Sequence, residues 1–233
     1  MHLANLIDMS KRLKEAKAKI ENEKVYPIEE AIKLIKETSQ VKFDASVEVH
    51  TRLGTDPKKG DQIVRDSVIL PHGTGKSVKI AAFVPNDRIK EAKDAGADVV
   101  GDEEMIAEIK KSGKCDFDLA VTTPKMMKQL SVIARVLGQK GLMPNPKVGT
   151  INEDLKKMIG ELKKGKIAYK NDTTANIHLI IGKVSFDDKA LIENFETFLN
   201  SLKKNKPQSL KGTFIKSMTL SSSMGPGIKV SIN

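Results

Sequence analysis

Aromatic residues and cysteine are scarce in this chain of 233 residues, which has no tryptophan, two tyrosines, seven phenylalanines and one cysteine. So few rings leave little for the base-stacking platforms that single-strand-binding proteins use. The single cysteine, Cys115, excludes an intrachain disulfide framework and any zinc site built from several thiolates, and it fits a reducing compartment. We expect Cys115 to be a small interior residue rather than a nucleophile.

Long apolar runs are also missing. The N-terminal stretch passes directly into Lys11-Arg12-Leu13-Lys14 without the apolar core of a signal peptide, and no apolar run reaches membrane length. We therefore predict a soluble, cytoplasmic protein without a membrane partner.

Basic residues, in contrast, are in excess. The chain has forty Lys and Arg residues and thirty Asp and Glu residues, which gives a formal net charge of +10. This balance favours nucleic acid or an anionic membrane surface as a partner over acidic small molecules, although a soluble protein that is merely basic has the same composition.

The segment Ser221-Ser222-Ser223-Met224-Gly225-Pro226-Gly227 is the most informative stretch of the chain. Three hydroxyls, two glycines and a methionine make a poor core. They make a good surface for the backbone of another molecule, because hydroxyls donate and accept, glycine permits close approach and methionine adapts its shape. In so basic a chain, the partner that this segment favours is a phosphate backbone.

The first third of the chain predicts an α+β arrangement. Helices are expected over residues 10–23 and from Pro27, the second with an apolar face. Residues 43–53 alternate between apolar and polar, as in a half-buried antiparallel strand. A polar turn over 54–60 leads to residues 63–70, which we predict to be the returning strand.

The middle of the chain alternates strands and helices in short steps, which indicates a small parallel sheet with helices on both faces. The predicted strands are 78–84, 97–100 and 119–121, and the predicted helices begin at Asp87 and Asp102 and span 124–137.

After a helix over 152–163, the α+β pattern returns, with strands at 167–169, 177–181 and 212–220 and a long helix over 187–202. We predict two domains: an α+β two-layer domain formed by residues 1–73 together with 165–233, and an inserted Rossmann-like three-layer α/β domain formed by residues 74–164. A hinge is expected at Gly73 and Gly165, where the chain crosses between them. The alternative is a single larger domain.

No motif supports catalysis. Gly73-Thr74-Gly75-Lys76-Ser77 ends like a phosphate-binding loop, but Leu70 stands where that motif needs glycine, and a strand rather than a helix is expected to follow. The loop over 138–147 could bind phosphate or simply reverse the chain, and the turn is the better interpretation. The four histidines lack metal-ligand spacing. We therefore predict no enzyme, no metal and no cofactor.

Several separate motifs, in order and over nearly the whole chain, resemble signatures of the large-subunit ribosomal protein L-one family in its bacterial form. These motifs are Lys42-Phe43-Asp44-Ala45-Ser46-Val47-Glu48-Val49-His50, Leu70-Pro71-His72-Gly73, Gly141-Leu142-Met143-Pro144-Asn145-Pro146-Lys147, Asn171-Asp172-Thr173-Thr174-Ala175-Asn176-Ile177-His178 and Ser223-Met224-Gly225-Pro226.

The resemblance implies the two-domain arrangement described above, and it implies a function. Members of this family bind large-subunit rRNA at the mobile stalk beside the exit site, where the stalk moves with departing deacylated tRNA. Many bacterial members also bind their own operon mRNA and repress its translation. The partners that the resemblance implies are thus the large ribosomal subunit, its stalk rRNA, exit-site tRNA and the operon mRNA, for a protein that is monomeric when free.

The resemblance also carries over an RNA-binding surface in the terminal domain, residue by residue. It consists of Lys42, Phe43, Ser46, Glu48, Asp172, Thr173, Thr174, His178, Ser217, Ser223, Met224 and Gly225. Two positions depart from the family pattern: Ser223 stands where threonine is usual, and Thr173 where many members have a basic residue. The first departure keeps the hydroxyl, and the second removes one expected phosphate contact.

Two other classes of protein stay open. A P-loop enzyme would bind ATP. A generic basic DNA-binding module would bind duplex DNA as well as structured RNA, although the sequence offers no obvious recognition helix.

Overall fold

The structure, a computed structural model, describes residues 11–21 and 24–232. The helices and strands of this part follow one another in the order α1 (Lys11–Ala18), α2 (Ile28–Thr38), β1 (Ser46–Leu53), β2 (Arg65–Ile69), β3 (Ile80–Phe83), α3 (Ile89–Asp94), β4 (Val99–Gly101), α4 (Glu103–Ser112), β5 (Leu119–Thr122), α5 (Met127–Leu130), α6 (Ala134–Gln139), α7 (Leu155–Lys163), β6 (Lys166–Lys170), β7 (Asn176–Lys183), α8 (Asp188–Lys204), β8 (Ile215–Ser222) and β9 (Gly227–Val230).

The chain forms two compact units. The first contains the residues up to Gly75 together with those from Tyr169 onward, and the second is Lys76–Ala168. The mixed α/β class agrees with the prediction, whereas the domain boundaries predicted at 73/74 and 164/165 stay a prediction. None of the helices in the described ranges has the length and apolar character needed to cross a membrane.

The first unit is built on an antiparallel sheet with the strand order β7-β1-β8-β9. Burial alternates along its strands, so that Val47, Val49 and Thr51 of β1 are buried while Glu48 and His50 between them are not. Helices α2 and α8 pack on the buried face. Because a period of two places alternate side chains on opposite faces, the other face is left open.

Helices α2 and α8 form over sequences with apolar residues at helical spacing. Of the apolar face predicted for α2, Ala31, Ile32 and Ile35 are buried, as expected, whereas Ile28 is only half-buried. Helix α8 buries Phe195 and Phe198, among other residues, against the sheet. Buried apolar area of this kind is the main favourable term in folding, and it fixes which face of the sheet is covered.

Four predictions for the first unit need correction. Strand β8 spans Ile215–Ser222 rather than residues 212–220. Helix α1 ends at Ala18, before the predicted end at Glu23; Ser10 and residues 22–23 lie outside the described residues. Strand β1 begins at Ser46 rather than Phe43. The last correction concerns β2, which pairs with β6 instead of returning beside β1. Both edges of β1 are taken by β7 and β8, with seven paired positions each, and so no edge is left for β2.

The second unit contains a parallel sheet with the strand order β4-β3-β5. Strand β3 is buried at all four positions, which is why its sequence is a continuous apolar run. Ala81 and Phe83 pack in one core with residues of α4, α5 and α6, whereas Ile80 and Ala82 pack in another with α3 and α7. Helices therefore cover both faces, as the alternating pattern predicts.

The predicted helix over 124–137 is instead broken into α5, a 3₁₀ turn over residues 131–133, and α6. At the break, the Ser131 hydroxyl donates to the Lys128 carbonyl at 2.5 Å. A serine side chain that bonds a carbonyl in the preceding turn competes with the helical hydrogen bonds, and this competition is the physical reason for the interruption.

Candidate RNA-binding surface

The open face of the antiparallel sheet is mostly polar, and Ile180 is its one large apolar side chain among the described residues. The side chains that are not buried against α2 and α8 are those of Glu48, His50 and Arg52 on β1, His178 and Ile180 on β7, Ser217, Thr219 and Ser221 on β8, and Lys229 on β9. A sheet covered by helices on one side presents this surface without any rearrangement.

The turn between β8 and β9 is hydrogen-bonded to the beginning of β1. The Ser223 backbone amide donates to the Ser46 carbonyl at 2.9 Å, and the Ser46 amide donates to the Ser223 hydroxyl at 3.2 Å. The structure thus brings together two predicted site residues that are 177 positions apart. Ser223 stands where threonine is usual in the family, and its hydroxyl accepts this second hydrogen bond.

One of the three serines in this segment does not belong to the surface. Ser222 is 3% exposed and faces the covered side of the sheet, between the half-buried Ser221 and Ser223. The expectation of three surface hydroxyls was therefore wrong for Ser222, because residues of a strand alternate between its faces.

Met224 is the most exposed large apolar residue of the described chain, with 72% of its surface accessible, which confirms the sequence expectation of exposure. Its backbone lies in the left-handed region at φ 63°, which is uncommon for a residue with a side chain. Arg12 of α1 holds this conformation by donating to the Met224 carbonyl at 3.1 Å and to the Gln40 carbonyl at 3.2 Å. No local pattern around Arg12 marks this role.

Packing within the turn leaves no room for a side chain at Gly225. A Cβ at this position would lie 2.2 Å from the Ser222 hydroxyl oxygen and 3.2 Å from the Ser222 carbonyl oxygen. The Gly225 amide also donates to that carbonyl at 2.8 Å. The glycine therefore closes the turn that projects Met224.

We expect Gly225→Ala to weaken RNA binding roughly tenfold, because the methyl group displaces the buried Ser222 hydroxyl and presses on the Ser222 carbonyl, and Met224 moves with the turn. The measurement is a binding titration of structured RNA with both proteins. Gly60→Ala is the matched control, because a Cβ at Gly60 would have open space around it and Gly60, like Gly225, has no positive φ. Unchanged affinity for Gly225→Ala would show that the turn adapts.

Asp172 organises the loop before β7. Its Oδ1 accepts from the Thr174 amide, the Thr174 hydroxyl and the Asn176 amide, each at 2.8 Å. The hydrogen bond from the Asn176 amide is the largest of the causes that lower the pKa of Asp172 to about 2, and the bonds from Thr174 act in the same direction. Ala175 in this loop has φ 63°. Asp172 and Thr174 thus shape the loop, while Thr173 between them is exposed.

His50 and His178 face each other across β1 and β7, with 2.7 Å between their Nδ1 atoms. One ring must donate to the other, since two protonated nitrogens cannot share this bond. His50 Nε2 is also 2.9 Å from the Ser221 hydroxyl. Sequence reasoning placed His50 on the polar side of its strand but missed the pair, because strand register is not visible in the sequence.

The charged groups on the same face as the pair are Glu48, Arg52, Asp172 and Lys229. Glu48 lies 3.8 Å from His50, and Asp172 lies 3.7 Å from His178. Burial lowers the pKa of His50, the neighbouring His178 lowers it further, and Glu48 partly offsets both. In the unfolded chain His50 titrates near its ordinary pKa of 6.5.

The depressed pKa of His50 predicts that the protein loses stability as the pH falls from 7.5 to 5.5. In this window the unfolded chain binds more protons at His50 than the folded chain does, so the stabilisation is present above pH 6.5 and is lost on acidification. Urea unfolding at both pH values should therefore show a smaller pH dependence for His50→Gln than for the unchanged protein. Equal pH dependence in the two proteins would contradict the assignment.

The remaining predicted site residues lie around this surface. Lys42 and Phe43 are exposed just before β1, and 55% of the Phe43 surface is accessible, so Phe43 is not a core residue. Ser217 is paired with Arg52 at the opposite end of β1 from Ser46. Between Ser46 and Arg52 the strand extends roughly 20 Å. The surface is thus a strip along β1 rather than a compact pocket.

Lys183 is a contributor that the sequence prediction omitted. Its Nζ donates to the Ser46 hydroxyl at 2.9 Å and to the Asp44 carbonyl at 3.3 Å. It lies at the same end of the sheet as Ser223, because Ser46 pairs with Lys183 on one side and bonds to Ser223 on the other. The signal for it would have been a basic residue at the end of a strand that pairs with β1.

The segment that resembles a phosphate-binding loop does not open a helix, since the next regular element is β3. Gly75 has φ 72° and its Cβ would lie 2.8 Å from Lys183 Cγ, which accounts for the glycine through packing. In the loop over 138–147, the Leu142 amide donates to the Leu137 carbonyl at 2.8 Å, and the Lys147 amide donates to Asn145 Oδ1 at 2.8 Å. Both hydrogen bonds are typical of a turn. Within the described ranges, no group of three or more His, Cys, Asp or Glu could hold a metal ion.

Both predicted hinge residues have a positive φ, 63° at Gly73 and 97° at Gly165, which is a region that favours glycine. The Gly73 carbonyl accepts from Asn194 Nδ2 at 3.0 Å, and the fully buried Asn194 also accepts from the His72 amide at 3.1 Å. This conformation fixes the chain path near Gly73 and does not test a hinge, which stays a prediction.

A mostly polar, preformed sheet face in a basic mixed α/β chain is typical of a protein that binds the surface of another molecule. A sequence model of the Ribosomal protein L1p/L10e family matches residues 34–226. The chain therefore belongs to this family of ribosomal proteins. The predictions of the family, of a non-enzymatic role and of a cytoplasmic, ribosome-associated location are confirmed by this membership.

Individual relatives are similar over nearly their whole length. Large ribosomal subunit protein uL1 of Mesoplasma florum is 52% identical over 225 residues, which cover 97% of this chain and 99% of that protein. The uL1 protein of Mycoplasma capricolum is 50% identical over 95% of this chain and 98% of its own length. That of Streptomyces avermitilis is 49% identical over 96% of this chain and 92% of its own.

Proposed function

We propose that this protein is a structural constituent of the large ribosomal subunit and binds large-subunit rRNA at the mobile stalk through the open sheet face of its first unit. The observation that supports this proposal most directly is the pair of hydrogen bonds between Ser223 and Ser46. These bonds hold the turn that carries Met224 and Gly225 at the start of β1, three residues after the exposed Phe43. Residues from distant parts of the chain form one polar strip with an apolar tip.

The mechanism that fits this strip is recognition of RNA shape. Hydroxyls on β8 can bond to ribose and phosphate oxygens, Glu48 can accept from a ribose hydroxyl or a base amine, and Lys42 can contact a phosphate. The surface needs little ordering on binding, because Arg12, Asp172 and Ser46 already hold its loops in place. Lysines around it supply salt-dependent attraction.

The test is a titration of the full chain with a stalk-derived rRNA fragment and with a structured RNA of equal length, at two salt concentrations. Site-specific recognition predicts that binding to the stalk fragment persists at high salt while binding to the control is lost. Equal, salt-sensitive binding to both RNAs would leave only the net charge of +10 as the explanation of binding, and the assignment of the site residues would be rejected. Duplex DNA and ATP, added as further ligands, test the two alternative classes.

We further propose that the protein assists release of deacylated tRNA from the exit site, represses translation of its own operon mRNA and is monomeric when free. Family membership supports these roles, and a surface that recognises RNA shape can accept an mRNA structure that resembles the stalk. Competition between the stalk fragment and the operon mRNA for one site tests the second role. Simultaneous binding of both RNAs would contradict it.

The two-domain arrangement is part of this proposal. We propose that the parallel-sheet unit is an inserted Rossmann-like domain that opens and closes about Gly73 and Gly165. Its support is the pair of chain crossings near these glycines and the division of the chain into two compact units. Small-angle scattering with and without RNA tests the movement, and a single fixed shape in both conditions would count against it.

A further inference from the structure

The net positive charge of the second unit is concentrated in one segment. Residues 119–152 contain five Lys and Arg residues and no Asp or Glu. The rest of this unit, residues 76–118 and 153–168, contains thirteen Lys and Arg residues and thirteen Asp and Glu residues, so its charges cancel. A local excess of one sign indicates a surface for a partner of the opposite charge, because it creates a field that the net charge of the whole chain does not.

This segment folds so that one side is buried and the other side carries the charge. The buried residues of α5, α6 and the turn between them, which pack in one core with β3, are Met126, Leu130, Ile133 and Leu137. They lie three or four positions apart, as one face of a helix requires. Exposed residues between and after them include Lys128, Val132, Arg135 and Lys140, which we call the α5–α6 face.

The three cations of the α5–α6 face are not neutralised within the described part of the chain. No carboxylate there lies within ion-pair distance of Lys128, Arg135 or Lys140. Elsewhere in the same unit, Arg88 and Lys166 pair with carboxylates at 2.7 and 2.9 Å. The face therefore presents its charge to a partner outside the unit.

Carboxylates occur on the elements next to this face and not on it. Asp87 lines one cavity together with Lys125, so Lys125 is not counted in the face. Helix α4 packs beside α5 and has the exposed residues Glu104 and Glu108. The positive surface is thus limited to the outer side of α5 and α6.

Gly138, in the last turn of α6, is a further sign of a partner. No described atom lies within 4 Å of a Cβ built at this position, and its φ is not positive, so neither packing nor conformation requires glycine. Glycine destabilises a helix relative to alanine, but it lets the backbone of another molecule approach closely. Its place between Arg135 and Lys140 therefore favours close contact with a partner's backbone.

The backbone of RNA fits the chemistry of this face. Lys and Arg contact phosphates, and Val132, with 55% of its surface accessible, can contact a ribose. An anionic membrane is a poorer partner, since a helix on a membrane inserts an apolar face. The apolar side of α5 and α6 is buried in the core, and among their described residues Val132 is the one exposed large apolar side chain.

We propose that the α5–α6 face is a second RNA-binding surface, which contacts the phosphate backbone of double-helical RNA without reading its sequence. Side chains cannot read the deep, narrow major groove of an RNA helix, so phosphate and ribose contacts carry the binding. The inference goes beyond the proposed function, because it assigns RNA contacts to the second unit, whereas the open sheet face belongs to the first.

A matched pair of triple variants of the full chain tests this proposal. The first is Lys128→Gln/Arg135→Gln/Lys140→Gln. The control is Lys90→Gln/Lys93→Gln/Lys156→Gln, which removes three exposed charges from α3 and α7, on the opposite side of the same sheet. Both variants lower the net charge from +10 to +7. The measurement is a titration with a double-helical RNA of simple sequence at several salt concentrations.

We expect the first variant to bind this RNA roughly tenfold more weakly at about 0.1 M salt. The slope of log K against log[salt] should fall by about two, since each lost phosphate contact contributes about 0.7 to 0.9. The control variant should change the affinity less than about twofold. Equal losses in the two variants, or no loss in the first, would overturn the proposal.

Methyl NMR signals locate the contact in the unchanged protein, so this measurement does not depend on how the variants fold. Val132 and Val25 are equally exposed, at 55%, and Val25 belongs to the first unit. Double-helical RNA should shift the methyl signals of Val132 and leave those of Val25 in place; unshifted Val132 signals would contradict the proposal. Poly-glutamate tests an acidic protein as the partner, and tighter binding of it than of RNA at equal charge would overturn the assignment to RNA.

The failures of the two proposals can be told apart. If the protein prefers the stalk fragment while the two triple variants bind double-helical RNA equally, the proposed function stands and the α5–α6 face is only a solvated surface. If the preference for the stalk fragment is absent while the first variant alone loses binding, the proposed function fails and the second surface stands.

Discussion

Met224→Asp is expected to weaken binding of the stalk-derived RNA fragment about 30-fold or more, which corresponds to roughly 2 kcal/mol. Met224 stands at the tip of the surface with 72% of its area accessible, so the substitution removes apolar contact and places a negative charge against the RNA backbone. The fold should tolerate it, because Asp adopts φ near 63° more readily than Met does.

The control for this prediction is Lys189→Gln. Both substitutions lower the net charge by one unit, from +10 to +9, but Lys189 is exposed in the first turn of α8, on the helix-covered side of the sheet. Its loss should change affinity less than about twofold, since a distant exposed charge is screened at physiological salt. Met224→Asn separates lost contact from added charge. Comparable losses for Met224→Asp and Lys189→Gln would rule out recognition of shape and leave net charge as the cause.

Elements set by local periodicity could be predicted from the sequence. The alternation along β1 identified its buried and open faces, and the spacing of Ile32 and Ile35 identified the buried face of α2, because a period of two or 3.6 residues is a local property. The break at Ser131 was missed because it depends on one side-chain hydrogen bond that periodicity does not report.

Contacts between distant segments could not be predicted in this way. His50 and His178 are 128 positions apart and meet only because of the register between β1 and β7. Arg12 bonds to Met224 across 212 positions, and no local pattern marks that pairing. The same limit explains the wrong partner for β2, since the neighbour of a strand is decided by competition among all edges of the sheet. Family resemblance supplied the candidate site residues, whereas the structure supplied the reasons for their positions.

Gly54→Ala is expected to destabilise the protein by about 2–4 kcal/mol, the largest effect on stability that we predict. A Cβ at Gly54 would lie 2.2 Å from the Thr213 carbonyl oxygen, far inside contact distance. The obstacle is backbone, which cannot turn aside as a side chain can. The Gly54 amide donates to the Phe214 carbonyl at 2.7 Å, so the two segments cannot separate without losing this bond as well.

Gly60→Ala provides the matched control, because no atom lies within 4 Å of a Cβ at Gly60 and the chain has no positive φ there. We expect its free energy of unfolding to stay within about 0.5 kcal/mol or to rise slightly, as the unfolded chain loses freedom. Urea unfolding of both variants measures the difference. Gly54 ends the strand that carries Glu48, His50 and Arg52, so a stable Gly54→Ala protein would mean that the end of β1 can shift away from residue 213. In that case the register that aligns the RNA-binding strip would be adjustable rather than fixed, and recognition by a preformed shape would lose its physical basis.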